Sequence, residues 1–211
     1  MTKHSQVALV NTPGLWGLTV SFDDEAMRLR MATNGLSLAD ESVTEPAGRT
    51  RLAEAMTGFV ASLDENPLSG RPDRLPLKLV GDGRQPIHHD RPEGWVTLHS
   101  RASLAALAEA AGDAGLDERR FRSNIVVDGL AAFEELSWVG RHVRIGDAEF
   151  FGEAPAIRCL ATHANPATGA RDLDVMGTLV KEFGHERPTF GVRLRPVGQS
   201  VIGTGDSVKV N

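Results

Sequence analysis

No tyrosine occurs in the 211 residues, and cysteine occurs once, as Cys159. A single cysteine excludes an intramolecular disulfide, and it excludes the Cys-rich zinc and iron–sulfur sites that one chain can build. Lysine is scarce as well: Lys3, Lys78, Lys181 and Lys209 are the whole set. The positive charge therefore rests on arginine, whose planar, forked, permanent cation suits phosphate and carboxylate. There is no basic excess. The 23 Lys and Arg stand against 28 Asp and Glu, for a formal net charge of −5 and a pI near 5.8. That balance disfavours a generic nucleic-acid binder. No apolar run approaches the ~18 residues that span a bilayer, and Met1-Thr2-Lys3-His4 does not open a signal peptide. These absences lead us to expect a cytoplasmic protein that acts on neither membrane nor nucleic acid.

Several catalytic signatures are missing too. No His pair sits at i, i+4 around a Glu, and there is no G-x-S-x-G. Gly203-Thr204-Gly205-Asp206 lacks the lysine and following helix of a phosphate-binding loop, so it reads as a tight turn before the last strand. No strand–glycine loop–helix unit supports dinucleotide binding.

What is present is an ordinary globular composition, 41% hydrophobic and 24% charged, with mean hydropathy −0.20. Strand-like runs dominate. Val7–Val10, Leu18–Phe22 and Met27–Met31 precede Asn34-Gly35, a hairpin-turn dipeptide, and suggest an antiparallel meander. Leu52, Ala55, Met56, Phe59, Val60 and Leu63 recur at helical spacing, predicting a helix over 49–63. Prolines 67, 72, 76, 86 and 92 mark a loop region interrupted by one strand, 75–80, and we place a soft boundary there. Further on, Val96–Leu98 reads as a strand and 104–111 as a helix that Ser100 or Ser103 can cap and Gly112 can end. Strands follow at 121–127, 143–145, 148–151, 157–162, 190–197 and 207–210, with a helix from Asp172 to about Phe183. The expected fold is mainly β with a few helices, the second half forming a partly closed barrel.

Four constellations carry possible chemistry. In Arg119-Arg120-Phe121-Arg122-Ser123-Asn124 an extended chain would put Arg120, Arg122 and Asn124 on one face, a set suited to an anionic phosphate-bearing ligand and expected to point into a cleft. The plain alternative is a solvated rim paired with Asp117 and Glu118. Ser100 and Ser103 at a helix start offer either a phosphate site or simple capping. Cys159 follows Arg158, which can depress a thiol pKa, yet a lone Cys in an apolar run is commonly a small buried hydrophobe. His88-His89-Asp90 could hold a metal, but adjacent residues of an extended chain point apart.

The ordered series from Arg119-Arg120-Phe121-Arg122-Ser123-Asn124-Ile125-Val126-Val127 through Phe133-Glu134-Glu135, Trp138-Val139-Gly140, Ile145-Gly146, Arg158-Cys159, Asn165-Pro166-Ala167-Thr168-Gly169 and Phe190-Gly191-Val192 to Gly203-Thr204-Gly205-Asp206-Ser207-Val208 resembles the MOSC domain. That family is named for the C-terminal part of molybdenum cofactor sulfurase, and the likeness is to its amidoxime-reducing branch. It covers about residues 95–211. Residues 5–85 resemble the later part of the β-rich region that precedes MOSC in that branch, which suggests a partial N-terminal region over 1–90 and a MOSC domain over 91–211.

The resemblance implies a barrel-like fold and a molybdenum cofactor, or a related phosphorylated pterin or other small anion. Its holders would be Arg122 and Asn124, with Arg120, Arg158 and the Ser100–Ser103 segment beside them. It implies a molybdenum-dependent oxidoreductase or a sulfur-handling protein, with an electron-transfer or sulfur-donor partner; pyridoxal phosphate enters only as a family-level association. Two departures bear on this. Where the cofactor-binding branch reads Cys-Ser-Arg-Cys and its first Cys ligates molybdenum, this chain reads Ala156-Ile157-Arg158-Cys159, and a methyl group coordinates nothing. The branch's "YPVKS"-like segment has no counterpart here. A non-catalytic binding or carrier module, or a sulfur carrier acting through Cys159, therefore stands beside the enzymatic reading.

Overall fold

The computed structural model describes residues 6–81, 84 and 93–211. His88-His89-Asp90 lies outside the described residues. Two compact units result: Met1–Pro92 with Ala164–Asp172, and Glu93–His163 with Leu173–Asn211.

In the first unit β1 (Leu18–Asp23), β2 (Arg28–Thr33) and β3 (Leu36–Ser42) form the expected antiparallel meander in that order. Asn34 and Gly35 make the β2–β3 turn with φ of 48° and 77°, the left-handed pair that matches the strand twist. Helix α1 (Pro46–Ala61) opens on a proline whose missing N–H would have had no partner there. Its Leu52 buries with Met31 and Val43, and its Phe59 and Val60 bury with Leu68. The helix lies close on the sheet: a Cβ at Gly48 would stand 2.3 Å from the Ser42 carbonyl oxygen.

Two strand expectations fail in this unit. Residues 7–10 form a turn closed by Asn11 N–H and Thr12 N–H on the Ala8 carbonyl, both at 2.9 Å. Residues 75–80 join no sheet. Pro76 has no N–H to give a ladder, and the Leu79 and Gly81 carbonyls accept instead from the Arg49 guanidinium at 2.7 and 2.8 Å.

The second unit is a curled six-stranded sheet, ordered β5-β4-β8-β7-β6-β9, that forms a partly closed barrel. Its strands are β4 (Val96–Ser100), β5 (Ile125–Val127), β6 (His142–Ile145), β7 (Ala148–Ile157), β8 (Thr189–Val197) and β9 (Val208–Val210). Only β4 and β5 run parallel, and the chain between them carries α2 (Arg101–Ala111), ended by Gly112 at φ 66°. One core cluster gathers Leu98, Trp138, Val143, Ile145, Phe150, Val192 and Leu194. A second gathers Leu107, Phe121, Val175, Leu179 and Phe190. The 203–206 turn forms as expected: Asp206 N–H donates to the Gly203 carbonyl at 3.2 Å, and its carboxylate accepts from Gly203 N–H at 2.8 Å.

Several boundaries differ from the sequence expectation: β7 runs on to Ile157 where 151 was expected, and α2 starts at Arg101 where 104 was expected. The 121–127 strand shortens to 125–127, because Asp117 accepts from Arg119 N–H at 2.9 Å and caps a 3₁₀ turn over Glu118–Phe121. The 157–162 strand is absent. β7 ends at Ile157, and the Cys159 carbonyl accepts from Thr162 N–H at 3.0 Å to begin a 3₁₀ turn at Leu160–His163. The last helix, α3, spans only Val175–Lys181, with Asp174 rather than Asp172 as its cap.

Candidate functional site

The arginine cluster sorts into three different roles. Arg119 is neutralised by Asp117, which accepts from its Nε and Nη2 at 3.0 and 2.6 Å. Arg120, 3% exposed, turns inward and donates to the His163 carbonyl at 2.9 Å. Arg122 ends the 3₁₀ turn in the left-handed region at φ 49°, ψ 35°, with its side chain exposed. The single extended face expected for Arg120, Arg122 and Asn124 does not exist, because the helical turn breaks the two-residue alternation. Asn124 is exposed as well. The Asn124 carboxamide oxygen accepts from Thr97 N–H at 2.9 Å, and Asn124 N–H donates to the Thr97 carbonyl at 2.9 Å. This side chain fastens β5 to β4.

Ser100 and Ser103 cap α2 and are closed to solvent. Ser103 Oγ accepts from Phe133 N–H at 2.7 Å and donates to the buried Glu135 carboxylate, whose oxygens lie at 2.8 and 2.9 Å. With that proton committed, Ser100 Oγ donates across the 2.8 Å hydroxyl pair and accepts from Ser103 N–H at 3.1 Å. Ser100 N–H completes the set on Glu135 at 3.2 Å. A buried carboxylate held by one N–H and one hydroxyl at a helix start is a structural device: charge-assisted bonds and the helix dipole offset its desolvation. The Ser103 hydroxyl faces Glu135 and the Ser100 hydroxyl faces Ser103, and neither is open to solvent. Nor are the two expected halves of a cradle brought together. Ser100 stands opposite Val127, whereas Asn124 bonds at Thr97, so they lie toward opposite ends of β4, roughly 10 Å apart at the usual strand rise.

Arg158 follows β7 and turns inward. Its Nε and Nη2 donate to the Phe190 carbonyl at 2.8 and 2.6 Å, and Nη1 donates to the Phe121 carbonyl at 3.0 Å. The guanidinium lies 5.5 and 5.7 Å from the Phe121 and Phe190 ring centres, and those rings stack at 4.0 Å. Burial, then the Arg193 cation, pulls its pKa down to about 10. Cys159 is half-buried in the loop beyond β7, and Ala156 is 2% exposed within the strand.

Sequence reasoning missed two residues here. His99, 1% exposed, packs against Phe121 and Phe190 at 5.9 and 5.1 Å, and neither ring nitrogen has a hydrogen-bond partner. Burial, then the Arg158 and Arg101 cations, holds its pKa down at about 4. In Thr97-Leu98-His99 the alternation marks His99 as a solvent-facing polar residue, so spacing misplaces it. Glu135 stood inside a quoted motif, yet nothing local separates a buried Glu from an exposed one.

For the implied molybdenum, the one sulfur donor of cysteine type in the chain is the half-buried Cys159 thiol. Ala156 offers a methyl group, the one thiol sits three residues on and outside the strand, and among the described residues no group of three His, Cys, Asp or Glu could hold a metal ion. Within the Arg119–Arg122 cluster, Arg122 is the cation left exposed with no carboxylate against it. Among the described residues, no helix is long and apolar enough to cross a membrane.

Similar proteins include molybdenum cofactor sulfurase of Anopheles gambiae, 33% identical over 116 residues, covering 50% of this chain and 15% of that protein. Molybdenum cofactor sulfurase 2 of Culex quinquefasciatus is 33% identical over 103 residues, covering 49% and 12%. Molybdenum cofactor sulfurase of Drosophila grimshawi is 40% identical over 99 residues, covering 46% and 12%. This chain thus matches less than a sixth of the length of these curated relatives. The family model described as the MOSC domain matches residues 85–209, well over half of the chain, and the chain therefore belongs to the MOSC domain family.

Proposed function

We propose that this protein is a MOSC-type binding module for a phosphorylated, pterin-class anion related to molybdenum cofactor, held through Arg122. The observation that carries the reading is how the arginine cluster divides. Arg119 is spent on Asp117 and Arg120 is folded inside, while Arg122 is exposed with no carboxylate against it. A non-glycine residue held at positive φ costs roughly 1–3 kcal/mol and persists where the surrounding structure demands it. Here the left-handed cap aims a free forked donor outward beside the start of β5. The names of the relatives support the pterin class.

The test is equilibrium binding of molybdopterin to wild type and Arg122→Ala at low and high salt. Losing one charge-assisted hydrogen bond removes about 1.5–3 kcal/mol, so Arg122→Ala is expected to weaken binding roughly tenfold to a hundredfold and to flatten the salt dependence. Equal affinity of the two proteins would end this reading.

A second reading, sulfur carriage on Cys159, is favoured by one observation: the sole thiol is partly exposed and follows a buried cation. Intact mass after incubation with a persulfide donor, with Cys159→Ser as control, tests it by a gain of about 32 Da per sulfur atom.

A further inference from the structure

We propose that Arg171 and Glu65 are positioning residues for the loop that carries Cys159: their ion pair fastens the strap 164–172 within the first unit and so fixes where the thiol stands. The inference rests on the reading of Cys159 as a sulfur carrier.

The motif Asn165-Pro166-Ala167-Thr168-Gly169 has no part in the arginine cluster or the serine pair. It builds a strap. The chain leaves the second unit at His163, runs through the first from Ala164 to Asp172, and returns at Leu173. The strap is a closed hairpin. Asn165 N–H donates to the Ala170 carbonyl and Gly169 N–H to the Asn165 carbonyl, both at 2.8 Å, and Ala164 pairs with Arg171. The Asn165 carboxamide accepts from Ala167 N–H at 2.8 Å and donates to the Asp172 carboxylate at 2.6 Å. Gly169, at φ 72°, lies so close to Gly14 that a Cβ would stand 3.0 Å from the Gly14 Cα. A hairpin with these internal bonds moves as one body, so whatever holds one of its residues holds its ends.

Arg171 is that hold. Its Nε donates to Glu65 Oε1 at 3.0 Å and its Nη2 to Glu65 Oε2 at 3.1 Å, fork on fork, and Nη2 also donates to the Val10 carbonyl at 3.0 Å. Glu65 and Val10 lie 106 and 161 residues away in sequence. None of these bonds closes the hairpin itself, so their effect is placement. The path from the strap to the thiol is short. Only the turn Leu160–His163 separates Ala164 from Cys159. That turn is tied at both ends: Thr162 N–H and Oγ1 donate to the Cys159 carbonyl, both at 3.0 Å, and Arg120 Nη1 donates to the His163 carbonyl at 2.9 Å. With so little slack, a shift of Ala164 pulls the His163 carbonyl from Arg120 and carries Cys159 with it.

Cys159 is the sole cysteine, so alkylation by iodoacetamide reports on this loop. A half-buried thiol reacts through local opening. The full chain is compared, well below its melting temperature, as wild type, Glu65→Ala, Arg171→Met, the double variant and Arg171→Lys. Each single loss is expected to raise the alkylation rate about three- to fivefold, which is what a partly screened bidentate pair supplies. The double variant is expected to match Arg171→Met, because the two residues act through one pair. Arg171→Lys keeps the charge without the fork and is expected to fall between wild type and Arg171→Met. Rates equal to wild type in Glu65→Ala and Arg171→Met overturn the inference even where the melting temperature falls, since the pair then serves stability alone. A rise that climbs steadily from the first addition of urea overturns it too, because the thiol is then reached by unfolding of the whole chain. Alkylation needs no sulfur donor. A wild type that gains no sulfur therefore defeats the carrier reading and leaves the placement intact, whereas unchanged alkylation beside normal sulfur uptake defeats the placement alone.

Discussion

Arg158 and His99 share one aromatic nest, formed by Phe121 and Phe190, and of the two cations that act on the imidazole Arg158 acts more strongly than Arg101. The guanidinium spends its donors on backbone carbonyls, which neutralise no charge. The imidazole therefore stays neutral, since a second buried cation at this spot would be both desolvated and repelled. The pair also links the candidate site to the core, because the Phe121 carbonyl that Arg158 holds belongs to the turn that Arg122 ends.

A pH dependence follows from His99. Its folded pKa, about 4, lies below the ordinary 6.5. The unfolded chain therefore takes up a proton that the folded one refuses. The neutral imidazole costs nothing on this account above pH 6.5, and stability falls as pH drops from 6.5 toward 4. By pH 5 the loss reaches about 2 kcal/mol, from roughly 1.4 kcal/mol per pKa unit. His99→Leu removes the titration while keeping a buried side chain of similar bulk. Urea unfolding of both proteins at pH 7 and pH 5 is expected to show the variant gaining about 2 kcal/mol relative to wild type at the lower pH. Parallel losses in the two proteins would mean that His99 is already charged or wetted when folded.

Ser103 makes a contrasting prediction, because it was a ligand candidate and is instead buried. Ser103→Ala leaves the Glu135 carboxylate with Ser100 N–H and strands the Phe133 N–H, the 2.7 Å donor. Unsatisfied buried donors and charges cost about 1–3 kcal/mol and more, so a loss of about 3 kcal/mol in the stability of the MOSC half is expected. Intrinsic affinity for molybdopterin, measured at a temperature where the variant is folded, is expected to stay within about twofold of wild type, since the hydroxyl faces Glu135. A large affinity loss without a stability loss would return Ser103 to the ligand.

Turn chemistry made much of the fold readable. Asn34-Gly35 and Gly112 each fix φ locally, and the strands and helix they bound were found within a few residues. The site was less readable because its decisive contacts are distant in sequence. Glu135 reaches back 35 residues to Ser100, and Arg158 crosses 37 to Phe121. The face shared by Arg120, Arg122 and Asn124 assumed an extended chain, and a single Asp117 cap converted that stretch into a helical turn. The family likeness named the right segments but could not say which of their side chains turn inward.

Gly191 offers the sharpest steric test, because it lies in the Phe190-Gly191-Val192 segment beside the His99 nest. Its φ is 79°, a conformation that residues with a Cβ rarely adopt. A Cβ there would stand 2.2 Å from the Leu98 carbonyl oxygen and 3.1 Å from the His99 Cβ. The first contact is with backbone that pairs across β4 and β8, where Leu98 stands opposite Val192, so it cannot swing aside. Gly191→Ala therefore combines backbone strain with a clash that separates the two strands, and a loss above about 2 kcal/mol is expected. The separation would also displace Phe190, whose carbonyl takes two of the Arg158 donors. Hydrogen exchange should then show the amides of Leu98, Val192 and Leu194 losing protection together with the Arg158 Nε–H. A variant that melts within a degree of wild type, with those amides still protected, would show that the strands do not hold this spacing in solution.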